Sequence, residues 1–307
     1  MSMDVAQILR GIEAGNNRAV AKAISMVENG ADEADTLLSR LDQSSLQNCM
    51  VMGVTGAPGA GKSTLTDKLI GHCRGLDKRI GVIAIDPTSP ISGGSIHGDR
   101  IRMMQHALDT EVIVRSMATR GRLGGLCAAA GAVVRIMASA GCNPVIIETV
   151  GVGQSEMDII RIADVTALVS APGLGDDIQA LKAGLLEVAD VMVVNKADRP
   201  GAELLALELR EVARSKGRDV IMTVASEGKG IDTLYQTLKD IFEEHQASGK
   251  NEQRRIEARN MEVVDWGIEL LRPHLEKWSR EGQDVEFGDP RVRARKLVQS
   301  LLGKGIE

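Results

Sequence analysis

The chain has 307 residues, of which 43% are hydrophobic and 26% charged, and its net charge is −5. This length is enough for one α/β core of about 200 residues with helical extensions at both ends. The acidic balance argues against nucleic acid or an anionic membrane as the main partner. Aromatic residues, at 2%, are too scarce for recognition by stacking.

Cysteine spacing and hydropathy indicate the compartment in which the protein is expected to function. Cys49, Cys73, Cys127 and Cys142 lie far apart with no C-x-x-C pair, which predicts neither a disulfide framework nor a zinc site. The N-terminal region has no apolar run of signal length, and no stretch reaches 18 uninterrupted apolar residues. We therefore expect a cytoplasmic protein with reduced thiols and no membrane partner.

The first predicted element is a helical extension over residues 1–46. Apolar residues recur at helical spacing from Val5 to Val27, and Gly15 and Gly30 interrupt the pattern.

A core of alternating strands and helices is predicted over residues 47–246. Its short β-branched runs carry apolar residues at consecutive positions, which is typical of strands covered by helices on both faces. The predicted strands are residues 50–55, 80–85, 112–114, 145–147, 165–169, 191–194 and 220–224. The pattern predicts an α/β fold with a doubly wound, mostly parallel sheet that binds its ligands at the carboxyl ends of the strands.

A phosphate-binding loop stands between the first predicted strand and the helical stretch after it. The sequence GAPGAGKST matches G-x-x-x-x-G-K-[ST] in the required strand-loop-helix context. Glycines let successive N–H groups point at phosphate oxygens at the positive end of the helix, a lysine reaches the β- and γ-phosphates, and a hydroxyl binds Mg²⁺. The predicted phosphate-binding residues are Gly56, Ala57, Pro58, Gly59, Ala60, Gly61, Lys62, Ser63 and Thr64.

Acidic residues at neighbouring strand ends predict a magnesium site. Asp86 follows the strand IGVIAI, Asp99 comes a few residues later, and Glu148 follows the strand VII. Mg²⁺ accepts one or two carboxylates and keeps several waters, so these acids, together with Ser63, are the predicted metal ligands. We predict Lys62, Asp99 and Glu148 as catalytic residues, and Gly151 as the glycine whose N–H senses the γ-phosphate.

The base is predicted to be guanine. Asn195, Lys196, Ala197 and Asp198 follow the strand VMVV, and a carboxylate at this place accepts hydrogen bonds from N1–H and the exocyclic amine of guanine. Adenine lacks this donor pair and would leave the acid unpaired, so GTP is predicted over ATP. After the last strand, backbone N–H groups of residues 224–226 (Val224, Ala225, Ser226) are predicted to meet the guanine carbonyl.

A helical C-terminal extension is predicted over residues 247–307, after a linker at residues 247–251. Its apolar residues follow steps of three and four from Met261 to Trp278, and Pro273 is expected to kink the helix. The stripe is consistent with a helix folded onto its own domain, but its place between a linker and a charge-rich helix favours a two-fold dimer contact, so residues 247–307 are predicted to be a dimerisation extension. A second, charge-rich helix is predicted from about residue 289 to residue 302.

Four segments together resemble the MeaB/ArgK family of G-protein chaperones for cobalamin-dependent acyl-CoA mutases. They are DPTSPISGGSIHGDRIRM (86–103), ETVGVGQSE (148–156), APGLGDDIQALKAG (171–184) and NKAD (195–198). The second and third are much more specific to this family than the P-loop or NKAD. The resemblance covers nearly the whole chain.

The resemblance implies a homodimeric, magnesium-dependent GTPase of the signal-recognition and MinD class. It implies that the chain binds a mutase, with methylmalonyl-CoA mutase the best-known client, and couples GTP hydrolysis to loading of adenosylcobalamin and release of damaged cofactor. Adenosylcobalamin would be handled through the partner, and cobalamin adenosyltransferase is a second implied partner. A mobile loop would report the nucleotide state to the mutase through Asp176, Asp177, Gln179 and Lys182.

Two departures from related GTPases affect the expected chemistry. Val224 stands where the family usually has serine, which removes one hydroxyl and predicts weaker guanine affinity without a change of base. Val152 stands where small signalling GTPases carry a water-orienting glutamine, so hydrolysis is expected to be slow until a partner docks.

Three other functions share parts of this pattern. A kinase would use the same phosphate loop but would have no need of NKAD. A nickel-delivery GTPase needs soft or imidazole ligands, and the five histidines and four cysteines form no cluster in the sequence. A protein-targeting GTPase would need a methionine-rich groove, whereas the 13 methionines are dispersed.

Overall fold

The computed structural model describes residues 4–86, 106, 108–118, 125–149, 155–173, 183–214, 217–281 and 289–302. Within this part of the chain, seven strands form one sheet in the order β3-β2-β4-β1-β5-β6-β7, and every strand pair is parallel. The strands are β1 (Val51–Gly56), β2 (Ile80–Asp86), β3 (Val112–Ala118), β4 (Val145–Thr149), β5 (Val165–Ser170), β6 (Val191–Val194) and β7 (Asp219–Met222). The predicted fold class is confirmed.

Among the described strands only β6 has the predicted bounds; β3 is extended most, and β7 is the one strand shorter than predicted. β3 continues to Ala118 through Arg115 and Ser116, polar residues that end the apolar run in the sequence but keep the ladder with β2. β7 ends at Met222, because Val224 turns away to form an isolated antiparallel bridge with Lys229.

Helices cover both faces of the sheet. The helices are α1 (Val5–Glu13), α2 (Asn17–Glu28), α3 (Glu33–Arg40), α4 (Lys62–Arg74), α5 (Gly125–Ser139), α6 (Ser155–Ile162), α7 (Ala183–Val188), α8 (Ala202–Arg214), α9 (Ile231–Ala247), α10 (Lys250–Glu281) and α11 (Pro290–Leu302).

Alternate residues of the strands point into separate apolar clusters, as the period of two in a strand requires. Val51 packs with side chains of α1, α2, α5 and α6, whereas its neighbour Met52 packs with those of α4 and α9. The N-terminal helices therefore share one continuous core with the sheet. Asn16 caps α2 by accepting hydrogen bonds from the backbone N–H groups of Arg18 and Ala19.

Only Ser248 and Gly249 separate α9 from the long helix α10. The linker predicted at residues 247–251 is therefore shorter than expected. Gly249 has φ +75°, a left-handed conformation that lets α9 end and α10 start in a new direction. Pro273 lies inside α10.

One side of α10 packs against the body of the protein. Trp266 packs against the apolar cluster that contains Val51. The Glu262 carboxylate accepts two hydrogen bonds from Arg135 of α5, at 2.7 and 2.6 Å. A Cβ atom added to Gly131 of α5 would lie 2.8 Å from Glu262 Oε2, so the two helices approach closely at this glycine.

Two apolar side chains of α10 line an open groove between this helix and the N-terminal helices α2 and α3. Val263 is 72% exposed and Leu270 is 69% exposed. In the described part of the chain, no helix has both the length and the apolar character needed to cross a bilayer.

Candidate functional site

The candidate site lies at the carboxyl ends of β1, β4 and β6, which are close together in the sheet order. The loop at residues 56–61 connects β1 to α4, and the 195–198 and 224–226 segments follow β6 and β7. In a parallel α/β sheet this edge is where ligands bind.

Two positions in the phosphate loop accept only glycine. Gly56 has φ +140°, and an added Cβ would collide with the carbonyl oxygen of Val169 on β5. Gly61 has φ +92°, and an added Cβ would collide with the side-chain amide nitrogen of Asn195. The loop thus needs both the left-handed backbone and the close approach that glycine permits.

Lys62 is buried at the start of α4 and points back into the loop. Its Nζ donates to the carbonyl oxygens of Gly56, at 2.7 Å, and Ala57, at 3.0 Å. An ammonium group is therefore held where the amino end of α4 already favours negative charge.

Ser63 and Glu148 meet at the centre of the candidate site. The Ser63 hydroxyl donates to Glu148 Oε1 at 2.6 Å, and Glu148 is fully buried on β4, in register with Val54 of β1. These two hard oxygen donors have the chemistry that Mg²⁺ prefers. The structure brings these two side chains together, and their role as magnesium ligands stays a prediction.

Other predicted site residues lie wholly or partly outside the described residues. The backbone of Asp86 ends β2 next to Ile85, which pairs with Thr149, so this residue lies at the same sheet edge; its side chain is not described. Asp99, Gly151, Asp176, Asp177, Gln179 and Lys182 fall outside the described residues altogether. Their roles stay predictions.

Asn195 connects the phosphate loop to residues 224–226, the loop predicted to contact guanine and called the guanine loop below. Its Nδ2 donates to the carbonyl oxygen of Ala60 at 2.8 Å. Its Oδ1 accepts from the Thr223 hydroxyl and from the Ala225 backbone N–H, both at 3.1 Å. The side chain is buried, so each of these bonds satisfies a polar group that has little access to water.

Two charged residues after β6, Lys196 and Asp198, differ in their contacts and exposure. Lys196 adopts φ +57° and its Nζ donates to the carbonyl oxygen of Gly59 at 2.6 Å, a second tie to the phosphate loop. Asp198 is exposed and therefore accessible to a base. The pKa of Lys229 is raised chiefly by the hydrogen bond of its ammonium group to Glu227, at 2.7 Å. The charge of Asp198 makes a smaller contribution in the same direction.

The amides of the guanine loop are already partly engaged. Val224 N–H donates to the carbonyl oxygen of Lys229 at 3.1 Å, and Ala225 N–H donates to Asn195. Either of these N–H groups would have to leave its present partner to contact a base.

Sequence reasoning missed Thr223. Its buried hydroxyl holds Asn195 in place from the end of β7. A small hydroxyl residue near the end of the predicted strand 220–224, just before the loop thought to meet the base, was the available signal.

Comparison with known proteins gives a family match. Residues 20–279 match the model of the family described as methylmalonyl-CoA mutase-associated GTPase MeaB. The match spans the phosphate loop, the acid at 148 and the NKAD segment.

Individual relatives are similar over most of their length. A Pyrococcus horikoshii protein is 45% identical over 313 residues, covering 97% of this chain and 98% of the relative. The Escherichia coli GTPase ArgK is 34% identical, with coverage of 85% and 82%. The mouse mitochondrial methylmalonic aciduria type A homolog is 32% identical, with coverage of 98% and 77%.

Solved structures support the fold alone, because their identities are low. A crystal structure of an LAO/AO transport system kinase is 23% identical with a TM-score of 0.67, covering 98% of this chain and all of that one. The nickel complex of HypB from Helicobacter pylori is 17% identical with a TM-score of 0.51, covering 70% and 95%.

The phosphate loop generates a prediction with an internal control. Gly61→Ala should lower GDP affinity by about tenfold or more, because alanine is strained at a positive φ and its methyl group displaces Asn195. Gly71→Ala, an exposed position inside α4 with open space around it, should keep GDP affinity and stabilise the protein by about 0.5–1 kcal/mol. Calorimetric titration and thermal unfolding measure both effects. Equal GDP affinity in the two variants would contradict the role given to Gly61.

Proposed function

Because this chain belongs to the family of methylmalonyl-CoA mutase-associated GTPases, we propose that it is the GTP-dependent chaperone of a cobalamin-dependent acyl-CoA mutase. In this role it gates loading of adenosylcobalamin, protects the loaded enzyme and helps to release damaged cofactor. The observation that carries the proposal is the family match over residues 20–279, which extends beyond the nucleotide site into the helices at both ends.

Residues of the candidate site would each have a distinct role in nucleotide binding. The loop at residues 56–64 binds the phosphates, with Lys62 moving its ammonium group from the carbonyl oxygens of Gly56 and Ala57 to the β- and γ-phosphates. Asp198 accepts hydrogen bonds from the guanine edge, and the Ser226 amide meets the guanine carbonyl. Asn195 fixes the distance between the phosphate and base sites.

The oxygen donors fit magnesium. Ser63 and Glu148 would hold the ion, with Asp86 and Asp99 as further proposed ligands. Bound there, Mg²⁺ would neutralise charge on the phosphates. Glu148 is buried and acceptor-only when ionised, so it can also orient a water molecule toward the γ-phosphate.

Hydrolysis is proposed to be slow in the isolated protein. Val152 offers no side chain that could orient water, so the missing alignment must come from movement of the 86–103 or 173–184 segments when the mutase docks. We place this activity in the cytoplasm, with cobalamin adenosyltransferase as a further partner.

We propose that residues 247–307 mediate a homodimer, that residues 47–246 are the GTPase domain and that residues 1–46 are an N-terminal extension. Val263, Val264 and Leu270 expose an apolar surface on α10 that would be costly to leave in water. A two-fold contact would bury the same surface of both copies.

A nickel-delivery GTPase and a P-loop kinase are the alternatives to this proposal. Among the described residues, no group of three or more His, Cys, Asp or Glu side chains is arranged to hold a metal ion. NKAD would have no use in an ATP-dependent kinase.

Base selection is tested by replacing the acceptor carboxylate of Asp198 with an amide, which can also donate a hydrogen bond. Asp198→Asn should lower GTP affinity about 100-fold, because hydrogen bonds to a charged acceptor are worth about 1.5–3 kcal/mol each. It should raise affinity for xanthosine triphosphate, whose base presents a carbonyl where guanine has an amine. The control is Asp232→Asn, the same change at an exposed position of α9. Unchanged GTP affinity in Asp198→Asn, measured by calorimetry with magnesium, would refute the assignment.

Partner gating is tested by adding the mutase. GTP hydrolysis by the purified protein should rise about tenfold or more with a cobalamin-dependent acyl-CoA mutase, measured as phosphate release, and Lys62→Ala should abolish it in both conditions. A full rate without partner would disprove the gating. Failure to retain any cobalamin enzyme in a pull-down from native cells would disprove the client while leaving the GTPase intact.

The dimer is tested by placing a charge on the apolar surface. Val263→Glu should shift the protein from dimer to monomer in sedimentation equilibrium, because the interface would bury an unpaired carboxylate. Leu204→Glu, at another exposed leucine on α8, should leave the dimer intact. A wild-type protein that sediments as a monomer at high concentration would contradict the proposal.

A further inference from the structure

Both segments expected to sense nucleotide lead into helices that end beside an aspartate at the opposite edge of the sheet. The 148–156 segment continues into α6, after which comes Asp164. The 171–184 segment continues into α7, after which comes Asp190. Asp164 and Asp190 are 1% and 7% exposed.

Asp164 is held by the second of two consecutive arginines near the start of α10. Its two oxygens accept from Arg255 Nε at 2.7 Å and from Arg255 Nη2 at 2.6 Å, and Oδ2 also accepts from Val51 N–H at 2.9 Å. Arg255 further donates to the carbonyl oxygens of Leu46 and Cys49, at 2.7 and 2.8 Å. Burial raises the pKa of Asp164, and the hydrogen bonds from Arg255 oppose that rise.

Asp190 is held by the first arginine. It accepts from Arg254 Nη2 at 3.1 Å and Nη1 at 3.3 Å, and from Thr166 N–H at 3.0 Å. Arg254 Nη1 also donates to the carbonyl oxygen of Asp164 at 2.7 Å. One guanidinium therefore touches the ends of both connections, and the planar fork of arginine is what makes this geometry possible.

The helix α6 packs closely against β1 at Gly53. A Cβ atom added to Gly53 of β1 would lie 2.6 Å from Ile159 Cγ2 and 3.0 Å from Ala163 Cβ. Close-packed interiors transmit displacements because they contain little free volume. A shift of α6 caused by its nucleotide-facing end must then reach Asp164 at the other end.

We propose that Arg254 and Arg255 form a coupling clamp that transmits the nucleotide state from α6 and α7 to the long helix α10. This inference rests on the proposed function, because it assumes that the segments before α6 and α7 respond to nucleotide. The clamp links the nucleotide site to the helix that bears the exposed apolar surface. Coupling of this kind is reciprocal, so the position of α10 also changes the affinity for GTP relative to that for GDP.

The test uses a natural reporter. The chain has two tryptophans, Trp266 and Trp278, both within α10, and Trp278→Phe leaves Trp266 as the only one. In this single-tryptophan protein with magnesium, GDP and a non-hydrolysable GTP analogue should give different Trp266 emission. Calorimetry on the same samples gives the affinity for each nucleotide.

Arg254→Lys is the primary variant, because it keeps the positive charge and loses the fork. It should remove most of the emission difference and change the ratio of analogue to GDP affinity by about fivefold or more. Arg259→Lys, the same substitution at an exposed position of α10, is the control and should change neither quantity. If Arg254→Lys fails to fold, Arg255→Lys provides the same measurement.

The outcomes separate the clamp from the nucleotide site. Binding of both nucleotides with identical Trp266 emission overturns the clamp alone. An emission difference and affinity ratio that survive in Arg254→Lys also overturn it. If the parent protein binds neither nucleotide, the proposed function fails and the clamp fails with it.

Discussion

The buried Asn195 side chain sets the geometry of the candidate site. Its three hydrogen bonds join segments that follow β1, β6 and β7, so the phosphate loop and the guanine loop are held at one separation. A nucleotide has a fixed length between base and phosphates, and a site with variable separation would lose part of its binding energy to ordering. The glycine at 61 belongs to the same constraint, because any side chain there would displace the amide group of Asn195.

Much of the fold could be predicted from the sequence because the strands are covered on both faces. Runs such as MVMGVT and VMVV are apolar at consecutive positions, a pattern that surface strands do not show. The errors lie where that pattern stops. The second half of β3 was not predicted because Arg115 and Ser116 are polar, which the edge position of β3 allows. Thr223 and Val224 were assigned to the last strand, although β7 ends at Met222 and Val224 forms an isolated bridge instead.

The site was predictable to the extent that its chemistry is local in sequence. The phosphate loop and NKAD are short motifs whose spacing alone indicates phosphate and guanine. The proximity of Ser63 and Glu148 followed from a general rule about strand ends, although the sequence could not give their direct hydrogen bond. The ion pairs of α10 could not be predicted, because Arg255 and Asp164 are 91 positions apart and no periodicity relates them. Such contacts are decided by tertiary packing.

The close approach of α5 and α10 at Gly131 limits how these helices can diverge. A methyl group at 131 would press on the carboxylate of Glu262, which Arg135 holds in place with two hydrogen bonds. A larger residue at 131 therefore demands a shorter one at 262, and Arg135 then loses its partner. Positions 131, 135 and 262 should vary together among relatives, so an alignment of homologues would register this helix crossing as a covarying triplet.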